Sequence, residues 1–207
     1  MKVAGIYLAA SRSMGAGVSK GSLKQPGGVS AGAAALSELE RCRLEPLIVV
    51  VRADDHLGWL PPAVNPHSPR RTETCLTAHL GLSFSLRCGL NAISSIAPDA
   101  VVIALADGPF IPAALVNRLI AAFEQNPGLD YVASMNEGRI MPPVLFAKSM
   151  FAELQELDSG NGIAALLCSS EHKGIMLQPD CASNFIDAEQ TGKYGGFRGE
   201  WSLQRDN

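Results

Sequence analysis

The residues of this chain best suited to chemistry fall in two short stretches. The first is Ser11-Arg12-Ser13-Met14-Gly15-Ala16-Gly17-Val18-Ser19-Lys20-Gly21, continuing through Lys24 to Gly27-Gly28. It follows directly on the apolar run Val3–Ala10. Glycines let backbone N–H groups approach an anion closely. Arg12, Lys20 and Lys24 supply positive charge, Arg as a planar fork and Lys as a point charge. Together they suit the binding of phosphates; an ordinary surface loop is the plainer alternative. Two familiar phosphate motifs do not fit. Counted from Gly15, Lys20 stands where a P-loop needs its second glycine, and Gly15-Ala16-Gly17-Val18-Ser19-Lys20 lacks the last glycine of a dinucleotide fingerprint. The second stretch is Asp107, which closes the hydrocarbon run Ala100–Ala106 and precedes Gly108-Pro109. A carboxylate at the end of a buried strand can hold Mg²⁺ against a polyphosphate; an acid that forms the turn before Gly-Pro is the equal alternative.

The other common reactive side chains offer no site. The five cysteines (Cys42, Cys75, Cys88, Cys168, Cys181) are widely spaced without C-x-x-C. That usage fits reduced thiols of a cytoplasmic protein better than a disulfide scaffold or structural zinc. His56, His67, His79 and His172 show no metal-ligand spacing.

The elements that must carry these residues alternate. Val3–Ala10, Leu47–Val51 and Ala100–Ala106 are continuous apolar runs, the mark of strands covered on both faces. Between them, Ala33–Leu39 gives a helical stripe lasting to about Arg43 and closed by Pro46, and Leu82, Leu86, Leu90 and Ile93 predict a helix over about 80–96. Pro112 opens a helix with Leu115, Leu119 and Phe123 on its apolar side. Tyr131–Ala133 and Pro143–Phe146 read as strands around a turn at Gly138. Met150, Leu154 and Leu157 mark a helix ending near Gly160, and Ile163 to Leu167 a further short one. Strands alternating with helices predict a three-layer α/β fold with a mainly parallel sheet. In such sheets ligands bind beyond the carboxyl ends of the strands, where both reactive stretches begin.

Composition narrows the classes. The chain has 207 residues, 47% hydrophobic and 18% charged, with a formal net charge of -3. These values predict one folded domain over residues 1–190 and a polar, Gly-containing tail over 191–207. A pI near 5.8 argues against nucleic acid as a partner. No apolar run approaches the roughly 18 residues of a membrane span. The opening Met1–Ala10 has some look of a signal peptide but fits a first strand better.

Taken in order, these residues resemble the MobA/MocA-like nucleotidyltransferase family. Leu8-Ala9-Ala10-Ser11-Arg12-Ser13, Met14-Gly15 and Lys20 echo its opening L-A-A/G-G-x-S-x-R-M-G-x-x-K, and Gly81-Leu82-Ser83-Phe84-Ser85-Leu86-Arg87-Cys88-Gly89-Leu90 its G-x-S-x-S-L-x-x-G-L helix start. Leu105-Ala106-Asp107-Gly108-Pro109-Phe110 is similar to its L-x-D-x-P-F turn. Pro143–Phe146, Leu157–Gly162 and Ile186-Asp187-Ala188 match its P-V-L-F, G-D-x-G and I-D-T segments. The resemblance runs over about residues 3–190. It implies a Rossmann-like (glycosyltransferase-A-like) domain that transfers a nucleoside monophosphate from CTP or GTP to molybdopterin and releases pyrophosphate. The maturation of a molybdoenzyme such as xanthine dehydrogenase would be its purpose. It further implies Mg²⁺ on Asp107 and Asp187, and Lys20 with Arg12 against the phosphates. The nucleotide would meet Leu8, Ala10, Ser11, Arg12, Gly15, Lys20, Ser83 and Ser85. Helix capping is the ordinary alternative for the two serines. Ala10 in the L-A-A form points to CTP over GTP.

The chain departs from the family pattern at defined places. Ser11 replaces the first-turn glycine, the arginine before Met14 is missing, and Ser159-Gly160-Asn161-Gly162-Ile163-Ala164 lacks the acid and arginine of G-D-x-G-A-R. A second expectation follows: a catalytically weakened accessory protein that binds and delivers the cofactor, with Phe197 and Trp201 in a docking tail. A sugar-phosphate nucleotidyltransferase is a third.

Overall fold

The computed structural model describes residues 1–11, 30–62, 70–106, 111–136, 139–158 and 162–178. Among the described residues seven strands form one sheet: β1 (Val3–Leu8), β2 (Leu47–Arg52), β3 (Arg70–Cys75), β4 (Ala100–Leu105), β5 (Tyr131–Asn136), β6 (Arg139–Ala147) and β7 (Gly174–Leu177). The spatial order is β3-β2-β1-β4-β6-β5-β7. β6 runs antiparallel to β4 and β5, while the other pairings are parallel. Helices α1 (Ala31–Leu39) and α3 (Ala113–Gln125) cover one face; α2 (Leu82–Ser94), α4 (Phe151–Glu156) and α5 (Gly162–Cys168) cover the other. This is the expected three-layer α/β fold with a mainly parallel sheet.

Burial on both faces explains why β1 and β4 carry no charged side chain. Ala4, Ile6 and Leu8 pack into the core beneath α2, α4 and α5, and Val3, Tyr7 and Ala9 into the core beneath α1 and α3. The period-2 alternation of strand side chains divides them. Ser30 starts α1 by accepting the Ala33 N–H at 3.1 Å. The start of α3 has only Pro112 as its cap, and Glu38 of α1 reaches across to accept the Ala113 N–H at 3.0 Å.

Several elements differ in extent from the pattern in the sequence. α1 stops at Leu39, short of Arg43, and β1 stops at Leu8, short of Ala10. α2 begins at Leu82, after a short 3₁₀ turn over Ala78–Leu80. β3 and β7 carry little sequence signal. β3 is an edge strand, Arg-Arg-Thr-Glu-Thr-Cys, mostly exposed until Cys75. Charges on an edge discourage pairing with other chains, and they also erase the apolar alternation that would reveal a strand. Its start is anchored by Arg70, which donates to the buried Glu40 carboxylate at 2.7 Å and to the Pro61 carbonyl at 3.0 Å.

Two glycines record close approaches. A Cβ on Gly89 of α2 would lie 2.6 Å from Ile6 Cγ2, so the missing side chain lets the helix settle on β1. A Cβ on Gly174 of β7 would collide with the ring of Tyr131, whose hydroxyl donates to the Leu167 carbonyl at 2.8 Å. The Gly138 turn and the tail over 191–207 lie outside the described residues. Among those described, no helix is long and apolar enough to cross a membrane.

Candidate active site

The strand order reverses between β1 and β4, because β2 and β3 extend the sheet one way and β4 begins the other half. Ligands of open α/β sheets bind outside the carboxyl ends of the strands at such a switch. Here the end of β1 is gripped from both sides. The Ala9 N–H donates to the Val50 carbonyl at 2.8 Å, and the Leu8 carbonyl accepts from the Ala106 N–H at 3.0 Å. Leu8 and Ala10 are buried, and Ser11 is half-buried. Ala106 is the residue before Asp107, so the structure brings the root of the first stretch beside the root of the second. Arg12, Gly15, Lys20, Lys24, Asp107 and Asp187 themselves lie outside the described residues.

Helix α2 presents its amino end on the same face of the sheet as Leu8, with Leu86 in the same core cluster. Gly81 precedes it at φ 133°, a backbone region that disfavours side chains, and no side chain caps the helix. The first N–H groups of a helix have no intrahelical acceptor, so this end is disposed to receive oxygen atoms. Ser83 and Ser85 stand in its first turn, 7% and 2% exposed. The Ser83 hydroxyl has no hydrogen-bond partner among the described residues. It lines a pocket whose near wall is Leu82, Ser83 and Leu86 and whose far wall is Leu157, Asp158, Gly162 and Ile163.

Two features of this region escaped the sequence reading. Leu157, Asp158, Gly162 and Ile163 form the wall opposite Ser83, although 74 residues separate Ser83 from Leu157 in the chain. Arg87 joins the walls: its Nη2 donates to the Leu157 carbonyl at 2.6 Å, and its guanidinium carbon lies 4.9 Å from the centre of the Phe84 ring. The one available signal was spacing, since Ser83 and Arg87 are four apart on a helix and share a face.

Two of the thiols, Cys42 and Cys88, are poor nucleophiles. Burial pushes the Cys88 thiol up to about 12, with Cys75 and Glu73 beside it adding to the rise. Burial and Glu38 likewise push Cys42 to about 12. Both stay protonated at neutral pH.

Residues 5–173 match the MobA-like NTP transferase domain. The chain belongs to the MobA-like NTP transferase family. The purine catabolism protein PucB of Bacillus subtilis (strain 168) is 27% identical over 199 residues, 94% of this chain and 95% of that one. The crystal structure of Rv0371c from Mycobacterium tuberculosis H37Rv superposes with a TM-score of 0.70 at 21% identity, covering 86% of this chain and 88% of that one. A structure of Rv0371c in complex with manganese gives a TM-score of 0.67 at 20% identity, covering 86% and 89%. For a MobA-like NTP transferase, the meeting of β1 and β4 is the switch point outside which ligands of open α/β sheets bind.

Proposed function

We propose that this protein transfers a nucleoside monophosphate from CTP, or from GTP, to molybdopterin with release of pyrophosphate, and so serves a molybdoenzyme such as xanthine dehydrogenase. The observation that carries the reading is the family's motif series in unbroken order on a fold that seats the first and third motifs on adjacent strand ends. The relative named for purine catabolism agrees with a purine-oxidising client.

In this reading a terminal phosphate of the acceptor attacks the α-phosphorus in line, and pyrophosphate leaves. Lys20, helped by Arg12, offsets charge on the α-phosphate and the leaving group. Leu8, Ala10, Ser11 and Gly15 form the floor under the nucleotide, and Ser83 and Ser85 contact its base or ribose. Asp107 and Asp187 would hold a divalent cation. Two carboxylates are hard oxygen donors, the set that suits Mg²⁺, and the manganese complex of Rv0371c supports an ion of that class. When bound, the ion would draw charge from the phosphates and orient attacking and leaving oxygens. Chain length permits Asp187 to reach. Nine peptide links join Gln178 to Asp187 and span at most about 30 Å, whereas three strand spacings from β7 to β4 amount to about 14 Å.

The test is pyrophosphate release with CTP or GTP, Mg²⁺ and molybdopterin. Turnover is expected, and Asp107→Asn is expected to lower it at least about a hundredfold with the fold intact. Wild-type rates in that variant would remove Asp107 from the site, and unfolding would make it a turn residue. Ser11 in place of the turn glycine and the missing arginine before Met14 favour a second reading, a carrier that binds cofactor without turnover. Tight molybdopterin binding with no pyrophosphate would select it, and turnover only with a sugar phosphate would redirect the acceptor.

A further inference from the structure

Ser83 holds a buried hydroxyl, and what that hydroxyl can touch depends on the wall across the pocket. That wall belongs to a different part of the chain. Leu157 is the residue at which α4 ends, with ψ turning to 126°, and its carbonyl is one of the groups a helix end leaves without an internal partner. Arg87 fills that need at 2.6 Å from the neighbouring helix. A cation at a helix carboxyl end is favoured by the dipole as well as by the hydrogen bond. The guanidinium is held from behind by Phe84, three residues earlier on α2, whose ring centre is 4.9 Å away. Its buried Nε has no hydrogen-bond partner among the described residues, so the aromatic face is the compensation within reach. The side chain is therefore fixed on both sides, and its rotamer sets where Leu157 sits. The neighbouring Asp158, Gly162 and Ile163 complete the wall.

We infer that Arg87 is a positioning residue: it fixes the wall of Leu157, Asp158, Gly162 and Ile163 at the distance from which the Ser83 hydroxyl can engage a bound nucleotide. The inference rests on the nucleotide role proposed for Ser83 and adds a residue that never touches the ligand. Arg87 acts through the wall, so its effect on affinity must disappear when Ser83 has no hydroxyl to position.

The experiment is a double-mutant cycle on nucleotide binding, measured by calorimetry with CTP and with GTP in Mg²⁺, using the full chain. Ser83→Ala is expected to weaken binding about tenfold, the scale of one hydrogen bond. Arg87→Met is expected to weaken it about three- to tenfold, and the double variant to bind within about twofold of Ser83→Ala alone. Arg87→Lys, which keeps a donor for Leu157 but not the planar stack, should fall between wild type and Arg87→Met. Hydrogen exchange gives a readout free of ligand: the peptide over 157–163 should exchange faster in Arg87→Met. Losses that add in the double variant would overturn the positioning role, because a general loosening of the fold acts in either background. Faster exchange with unchanged affinity would also overturn it, leaving Arg87 a structural clamp. If the wild type binds neither nucleotide, or Ser83→Ala binds as the wild type does, the nucleotide role of Ser83 falls first and this inference falls with it.

Discussion

Replacing Gly89 by alanine tests how closely α2 is seated on the sheet, and its effect can be worked from contacts. The new methyl would stand 2.6 Å from Ile6 Cγ2 and 3.2 Å from both Ile6 Cδ1 and Val50 Cγ2. Ordinary contact begins at 3.4 Å, so the first of these must open by most of an ångström. Ile6 is fully buried and β-branched, and its Cγ2 cannot swing aside without turning the whole side chain. Overpacking of this kind costs about 1–3 kcal/mol, and three simultaneous short contacts place it near the upper end. The gain in helix propensity from glycine to alanine returns about 1 kcal/mol. A net loss of about 2 kcal/mol lowers the melting temperature by about 4–8 °C in a domain of this size. Urea and thermal unfolding measure it, with Gly58→Ala as the control, since nothing stands within 4 Å of a Cβ at that position. Ile6→Ala should cost less in the Gly89→Ala background than in the wild type, a coupling of about 0.5–3 kcal/mol. Stability equal to or above wild type in Gly89→Ala would refute the close seating. The amino end of α2, with Ser83 and Ser85, would then have no fixed height above the end of β1.

Three further outcomes are expected. Lys20→Ala should weaken triphosphate binding and turnover more than Lys24→Ala, and equal effects in a binding titration would reduce the loop to a diffuse positive field. In competition at equal concentrations CTP should be preferred to GTP by about 10–200-fold, the discrimination available to one methyl-sized change at Ala10; a GTP preference measured by pyrophosphate release would overturn this. Cys42 and Cys88 keep their protons to about 12 in the fold, whereas an unburied thiol ionises near 9.0. The unfolded chain therefore holds fewer protons than the folded one through that window, and stability falls as pH rises across it. Urea midpoints should show a shallower decline in Cys42→Ser and Cys88→Ser, and an unchanged slope would mean that the thiols do not contribute.

The elements under the site were legible because each is buried on one period or another. Val3–Leu8 and Ala100–Leu105 are covered on both faces and so carry no charged residue, and Leu82, Leu86, Leu90 and Ile93 repeat at helical spacing. β3 was hidden because an edge strand gains from Arg, Thr and Glu what a central strand gains from Val and Ile. β7 was hidden because four half-buried residues, one of them glycine, leave no pattern to detect. Within the site, the serines of α2 were marked by their position before a helical stripe. Leu157–Gly162 was marked only as a motif match, and its place opposite Ser83 makes sense only once α4 and α5 are stacked beside α2. Arg87 shows the same limit: as a residue on a helix it is unremarkable, and its partner is a backbone carbonyl 70 residues away.

The seating of Gly174 under the Tyr131 ring bears on the order in which this molecule comes apart. β7 is short, lies at the sheet's edge, and is only half-buried along its length, with the Tyr131 ring over Gly174. Such a strand forms a small cooperative unit that opens at lower free energy than the central strands. It is also the last described element before the chain continues towards Asp187. If Asp187 holds the metal as proposed, an occupied site would tether the margin of the sheet to its middle. Ligand that binds only with that margin folded would then raise the free energy of opening by mass action. The outermost strand would be a gauge of occupancy at the centre, its amides exchanging more slowly when the site fills.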